Sequence, residues 1–344
     1  MLRVGFIGGG NITDTHIRAA LAVPQLQVAA VVGTNPSKVR ALADKHGLSA
    51  YDDLGRFLSH RPLELVIIGS PSGAHATEGI AACTQGLHVL VEKPIDVTTE
   101  RADRLIRSAK DAGVTLGVLF QDRLKPDILR LRDWIRSGKL GRIILVEACV
   151  KWYRPPEYYA HSKWRGTSSL DGGGALINQG IHTVDLLVYL LGEIHRVQAV
   201  TKTALHAIES EDTCVATLEF ANGAVGVLEA TTAAFPGYAR RVEITGSEGT
   251  VCLEQDRLTR VDLKSPVSER DQMEPADRNP SANSPVVSDV RGHQRILENF
   301  VQCIESGNSP VCDGEEGRRS LAVVEAIYRS ARVHDAVACG SYEP

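Results

Sequence analysis

The first third of the chain alternates between two kinds of apolar pattern. Short continuous runs lie at Leu2 to Ile7, Val28 to Val32, Leu65 to Ile68, His88 to Val91 and Val114 to Leu119. Between them, around Ile17 to Val23, Ser37 to His46, Ala74 to Cys83 and Thr99 to Ala112, apolar residues recur at helical spacing. Continuously apolar strands suit a sheet buried on both faces, and an intervening helix is the connection a parallel pair of strands requires. The spacing predicts βαβ units, a parallel sheet and helices on both of its faces.

After about residue 122 the pattern changes. A helix over Lys125 to Ser137, stopped by Gly138 and Gly141, leads into clustered strand-like runs: Arg142 to Val150, Val197 to Thr203, Thr213 to Phe220, Ala224 to Ala230 and Arg240 to Thr245. Asn222-Gly223 and Gly246 to Gly249 have the composition of hairpin turns. Residues 264 to 290 carry Pro266, Pro275, Pro280 and Pro285 and no aromatic residue, which predicts a long exposed loop. Two helices, His293 to Ser306 and Glu315 to Ala336, close the chain. The expected organisation is a dinucleotide-binding domain over residues 1–122 and a second α/β domain over 123–344, built on an open, mostly antiparallel sheet.

Composition narrows the function classes. With 38 basic and 42 acidic residues and no basic block, the charge balance argues against a dedicated nucleic-acid binder. No apolar run reaches the ~18 residues a membrane helix needs. The start, Met1 to Ile7, lacks the order of a signal peptide, so a cytoplasmic protein is expected. The seven scattered cysteines include no CxxC pair and read as reduced thiols, not a disulfide or zinc framework.

Gly8-Gly9-Gly10-Asn11-Ile12-Thr13 joins the first strand to the first helix. Gly8 permits the turn, and Gly10 lets the backbone approach a pyrophosphate drawn to the helix N-terminus. Thr13 stands at the third glycine position, so the fingerprint is incomplete, and an ordinary strand-to-helix turn remains the alternative. At the end of the second strand, Gly33-Thr34-Asn35-Pro36-Ser37-Lys38 holds no carboxylate for the ribose diol of NAD. Lys38 and Arg40 follow. The missing repulsion favours NADP over NAD, unless the two cations are merely solvated helix residues.

Two further groups carry chemistry. Glu92-Lys93-Pro94 follows a strand at its carboxyl end, where open α/β sheets bind ligands; a structural Glu92–Lys93 pair is the alternative. Asn178, His182, Asp185 and Tyr189 recur at i, i+4, i+7 and i+11 on an otherwise apolar helix. A buried polar stripe must be hydrogen-bonded or functional. It could equally be a satisfied core histidine with a helix-anchoring Asp185, or a metal site. Residues 151 to 165 gather Trp152, Trp164, Tyr153, Tyr158 and Tyr159 with Lys151, Arg154, Lys163 and Arg165 against the single acid Glu157. Aromatic faces suit a sugar ring or base, and arginines suit phosphate or carboxylate. A subunit interface has the same composition.

Taken together, Gly8-x-Gly10 with His16, Ser70-Pro71 with His75, Glu92-Lys93-Pro94, and Gly172-Gly173-Gly174 followed by His182-x-x-Asp185 resemble, in order and over nearly the whole chain, the Gfo/Idh/MocA-type oxidoreductases. The resemblance implies a Rossmann domain, a second domain whose open sheet supports a homo-oligomer (dimer or tetramer), and a sugar-type secondary alcohol as substrate. It implies that Lys93 polarises the reacting hydroxyl, that His182 exchanges its proton, and that the Lys93–Pro94 bond is cis. Cofactor contacts are implied at Gly8, Gly10, Asn11, Ile12, Thr34, Asn35, Lys38, Ser70, Pro71, His75, Glu92, Lys93, Gln121, Trp164 and Arg165. Substrate contacts are implied at Tyr153, Arg154, Arg165, Asn178 and Asp185, with no metal. Many members have Asp where this chain has Asn178, and an amide cannot act as a base. Asn178-Gln179-Gly180-Ile181-His182 is instead similar to a run in nucleotide-sugar 3-dehydrogenases. An inositol or other neutral polyol dehydrogenase, and a non-catalytic NAD(P)-binding regulator, are the competing expectations.

Overall fold

The computed structural model describes residues 1–265 and 289–340, so most of the loop expected over 264 to 290 lies outside the described residues. The chain divides into two compact units. The first takes Met1–Gln121, Ser169–Gly172 and the described residues from 289 to Leu321; the rest belongs to the second.

In the first unit, β1 (Leu2–Ile7), β2 (Leu26–Val32), β3 (Ser49–Tyr51), β4 (Leu65–Ile68), β5 (His88–Glu92) and β6 (Leu116–Leu119) pair in parallel, in the order β3-β2-β1-β4-β5-β6. Their connections carry α1 (Asn11–Leu21), α2 (Pro36–His46), α3 (Leu54–Leu58), α4 (His75–Cys83) and α5 (Thr99–Ala112). Val4, Phe6, Leu65, Ile68, Val89 and Val91 are all fully buried, and each contributes about 1.5–3 kcal/mol by leaving water. Asn35, Asp53 and Thr98 cap α2, α3 and α5 through their side chains, whereas α1 starts at Gly10 with no side-chain cap. The strand order reverses between β1 and β4, and a doubly wound sheet binds its ligand at such a point.

The second unit adds α6 (Pro126–Arg136), β7 (Ile143–Lys151), α7 (Pro156–Ala160), α8 (Ile181–Leu191), β8 (Ile194–Lys202), β9 (Thr213–Phe220), β10 (Val225–Thr231), β11 (Arg241–Gly246), β12 (Gly249–Glu254), β13 (Arg257–Leu263) and, near the chain end, β14 (Val337–Ala338). Among the described residues these eight strands form one open sheet, β13-β12-β11-β7-β10-β9-β8-β14. It is antiparallel except where β10 runs parallel to β7. Burial alternates along the strands: Val146, Ala148, Ala216, Leu218, Leu228 and Ile244 are buried, while Leu145, Val215, Val225 and Val227 on the other face are exposed. α8 packs against α6 and β7.

The expected boundary at 122/123 does not hold to the chain end. α9 (Arg291–Ser306) belongs to the first unit, where it packs against α1 and β6. Its apolar stripe Ile296, Leu297, Phe300 and Val301 is buried, and Gly117 on β6 leaves the space that Phe300 fills. A helix with so strong an apolar stripe has to bury it, and the β6 end of the sheet supplies the surface.

Candidate active-site residues in each unit

The glycine loop is shaped to receive a diphosphate. Gly8 has φ +132°, where an L side chain is strained, and a Cβ there would collide with the Gly69 carbonyl. A Cβ on Gly10 would meet nothing within 4 Å, so the open side of the loop is free for a ligand to approach the backbone. The first N–H groups of α1 lack a side-chain cap and point to the same end. Thr13, where a third glycine was expected, is buried in the space that the missing side chains of Gly8 and Gly69 leave. These features fit a pyrophosphate at Gly8, Gly10, Asn11 and Ile12.

Beyond β2, Thr34, Asn35, Ser37, Lys38 and Arg40 are exposed. The Asn35 side chain accepts from the Lys38 N–H at 3.1 Å, so it serves α2 as its cap. Ser70 donates to Glu78 at 2.5 Å, and burial pushes the Glu78 carboxyl up to about 7. His75 is 1 % exposed, with its two ring nitrogens 2.8 Å from the Pro94 carbonyl and 3.0 Å from the Ser70 carbonyl. It ties the loop after β4 to the loop after β5. Pro71 precedes a short 3₁₀ turn, and Gln121 starts another, half-buried.

Lys93 is half-buried just past β5, and its bond to Pro94 is cis, as expected. Glu92 points inward. One carboxylate oxygen lies 3.0 Å from His16 Nε2, and the other accepts the Lys93 backbone N–H at 2.9 Å. Burial alone would raise this carboxyl; His16, Lys93 and His293 outweigh it and hold Glu92 at about 2. Glu92 therefore supports the Lys93 backbone.

In the second unit, a π-helical turn over Leu176–Gly180 precedes α8, so Asn178 does not share one regular helix with His182. Such turns are frequent at functional sites. Asn178, His182 and Tyr189 are half-buried, and Asp185 is fully buried. Asp185 accepts from Arg123 Nε at 2.9 Å and Nη2 at 2.7 Å, with both side chains at or below 1 % exposure. This is the helix-anchoring alternative. Both carboxylate oxygens of Asp185 are engaged by Arg123. Tyr189 accepts from Arg132 at 2.6 Å.

His182 belongs to a different cluster. Its Nδ1 lies 3.7 Å from Asp122, which also contacts Lys125 at 2.6 Å and Arg240 at 2.7 Å; Arg240 pairs with Asp256 as well. Burial would raise the Asp122 carboxyl, but Lys125, Arg240 and His182 hold it well below the usual range. The sequence reading missed Asp122 and Arg240, which lie 60 and 58 residues from His182 and share no local motif with it. It also missed Glu211, which accepts from Gly174 N–H at 3.0 Å, Leu176 N–H at 2.8 Å and the Tyr328 hydroxyl at 3.0 Å. Gly173 and Gly174 are glycines because a Cβ would strike the Tyr328 hydroxyl and the Glu211 carbonyl.

In the segment after β7, Arg154 is 4 % exposed, its guanidinium 5.2 Å from the Trp152 ring and 5.6 Å from the Tyr158 ring. Arg165 lies 4.1 Å over Tyr158 and 5.3 Å over Trp164. No carboxylate lies within salt-bridge distance of Arg165 among the described residues. Tyr153 packs edge-on against the exposed Phe235.

A parallel sheet with a glycine loop at its switch point, a lysine past β5 and a second unit carrying an acid-flanked histidine define a nicotinamide-dinucleotide oxidoreductase. Residues 2–120 match the oxidoreductase family with an NAD-binding Rossmann fold, and residues 128–252 match the GFO/IDH/MocA C-terminal domain; the chain belongs to this family. It is 26 % identical over 340 residues to myo-inositol 2-dehydrogenase of Thermotoga maritima, covering 96 % of each chain. It is 27 % identical over 352 residues to D-glucoside 3-dehydrogenase of Escherichia coli, covering 96 % and 95 %. The WlbA dehydrogenase of Bordetella pertussis, solved with NADH and UDP-GlcNAcA, superposes with a TM-score of 0.91 at 32 % identity, over 99 % of this chain and 98 % of that one. Among the described residues no helix is long and apolar enough to cross a membrane.

Proposed function

We propose that this oxidoreductase acts on a secondary alcohol, at C3, of a glycoside or nucleotide sugar bearing an anionic group, with Lys93 and His182 handling the hydroxyl. When bound, the nicotinamide cofactor supplies the hydride acceptor. Lys93 donates a hydrogen bond to the reacting oxygen, and His182 takes its proton. The observation that carries this assignment is the relation of His182 to Asp122. A half-buried imidazole 3.7 Å from a carboxylate held ionised is suited to accept a proton near neutrality. A non-catalytic regulator would have no use for this arrangement together with Lys93. Asn178, an amide, acts as a hydrogen-bonding clamp.

The anionic substrate is supported by Arg154 and Arg165, two cations beside one tyrosine ring and of a residue type that pairs well with carboxylate or phosphate. Trp164, Tyr153 and Asn178 complete the proposed substrate and cofactor contacts. The relative named D-glucoside 3-dehydrogenase supports a glycoside oxidised at C3, and the WlbA structure solved with UDP-GlcNAcA supports an anionic nucleotide sugar. The exposed, acid-free rim at Thr34, Asn35, Lys38 and Arg40 supports NADP over NAD. The outer face of the second sheet, with Leu145 and Val225 paired across β7 and β10, supports a homo-oligomer.

The test is a cofactor-reduction screen over neutral sugars, simple glycosides, uronates and nucleotide sugars, with Arg154→Ala and Arg165→Ala run beside the wild type. The expected result is fastest turnover with an anionic glycoside and a raised KM in both variants. If neutral polyols turn over best and neither variant raises KM, the anionic assignment fails.

A further inference from the structure

Glu92 stands between two histidines from distant parts of the chain. His16 comes from α1 and His293 from the start of α9, and one ligand-type atom from each of the three residues lies within 4.8 Å of the others. The exposures are 0 % for His16, 8 % for Glu92 and 3 % for His293. The two imidazoles meet edge-on, with ring centroids 5.2 Å apart. A buried carboxylate is costly unless paired and hydrogen-bonded. Here the pairing is unequal: one oxygen faces His16, and the other holds the backbone N–H of Lys93. Packing α9 on the first sheet needs only the apolar stripe from Ile296 onward, so it does not explain an imidazole at position 293.

We propose that His16, Glu92 and His293 form a positioning cluster for Lys93. The Glu92 carboxylate fixes the Lys93 peptide, and the two imidazoles fix that carboxylate, so α9 sets the charge environment in which Lys93 works. The proposal rests on the catalytic assignment of Lys93 given above. The groups facing Glu92 are His16 from α1, Lys93 beside it, His293 from α9 and His75 from α4, with Asp96 close to His75. Glu92 stays ionised through the neutral range among these neighbours, so its negative charge favours the ammonium form of Lys93.

The test separates this cluster from the proposed reaction. Lys93 is half-buried, so its reactivity toward acetic anhydride can be followed by mass spectrometry as a function of pH, without turnover. In Glu92→Gln, which keeps an acceptor for the Lys93 N–H but removes the charge, half-maximal labelling should move down by about one pH unit, the lower end of the effect of a nearby opposite charge. In His293→Gln, which keeps hydrogen bonding, it should shift less; His293→Phe should shift it in the same direction as Glu92→Gln and lower kcat with KM little changed. Identical labelling curves in the wild type, Glu92→Gln and His293→Phe would overturn the positioning role, even if the variants lost thermal stability. Curves that move in a protein that turns over no sugar would keep the cluster and overturn the reaction instead.

Discussion

Arg123 and Asp185 form a bidentate ion pair that is closed to solvent, and that pair holds the helix on which His182 stands. Breaking such a pair by removing one partner leaves an uncompensated buried charge. Asp185→Ala should therefore cost about 3–5 kcal/mol. Denaturant unfolding measures it. An Arg123→Met, Asp185→Leu double variant should recover most of the loss, since the desolvation penalty disappears with the charges. A loss below 1 kcal/mol in Asp185→Ala would contradict the anchoring role.

Glu211 makes stability depend on pH near neutrality. Its carboxyl is raised from 4.5 to about 7 because burial outweighs the donors at Gly174, Leu176 and Tyr328. A carboxyl raised in the folded state stabilises most below its unfolded value, and that contribution is lost as pH rises through the folded value. Wild-type stability relative to Glu211→Gln should then decline between pH 4.5 and about 7 and level off above. A constant difference between the two proteins at pH 5, 6, 7 and 8 would contradict this.

NADPH should bind more tightly than NADH. The rim after β2 offers Lys38 and Arg40 and no acid among residues 33–38. Fluorescence titration of both reduced cofactors decides it, and Lys38→Glu should narrow the preference. Tighter binding of NADH would mean that backbone groups near Gly33 and Thr34 hold the ribose diol unaided.

The outer sheet face should be covered in solution. Val215, Val225 and Val227 are 49 %, 51 % and 37 % exposed on neighbouring strands, a patch soluble chains usually bury against a partner. Val215→Asp combined with Val227→Asp should lower the mass seen by sedimentation while leaving the fold intact by circular dichroism. A wild type that sediments at the mass of one chain would dismiss the interface.

Much of the first unit was legible because its apolar runs are continuous and its helices long. Thr99 to Ala112 was placed to the residue, whereas β3, three residues long, and α3, five, carry too little period to register. In the second unit β9 was read to the residue, but β12, β13 and β14 escaped, since half-polar strands such as Arg257–Leu263 lack a clean alternation. The site divides in the same way. Gly8, Gly10, Lys93 and His182 are tied to local motifs. Asp122, Glu211, Arg240 and His293 are set by tertiary pairing, which no local pattern encodes. Asp185 and His75 bind their own surroundings, Arg123 and the Pro94 and Ser70 carbonyls, and a family motif marks residues that hold a site together as readily as those that touch its ligand.

His182 is proposed to carry the proton in a sugar oxidation. The most direct measurement is kcat for His182→Ala on the best substrate of the screen, with cofactor affinity measured on the same preparation. The expected result is a kcat lowered by ~10²–10⁴-fold, the range for losing a general acid–base group, with cofactor affinity little changed. Near-normal turnover in His182→Ala would contradict the account and leave the imidazole beside Asp122 as a packing residue.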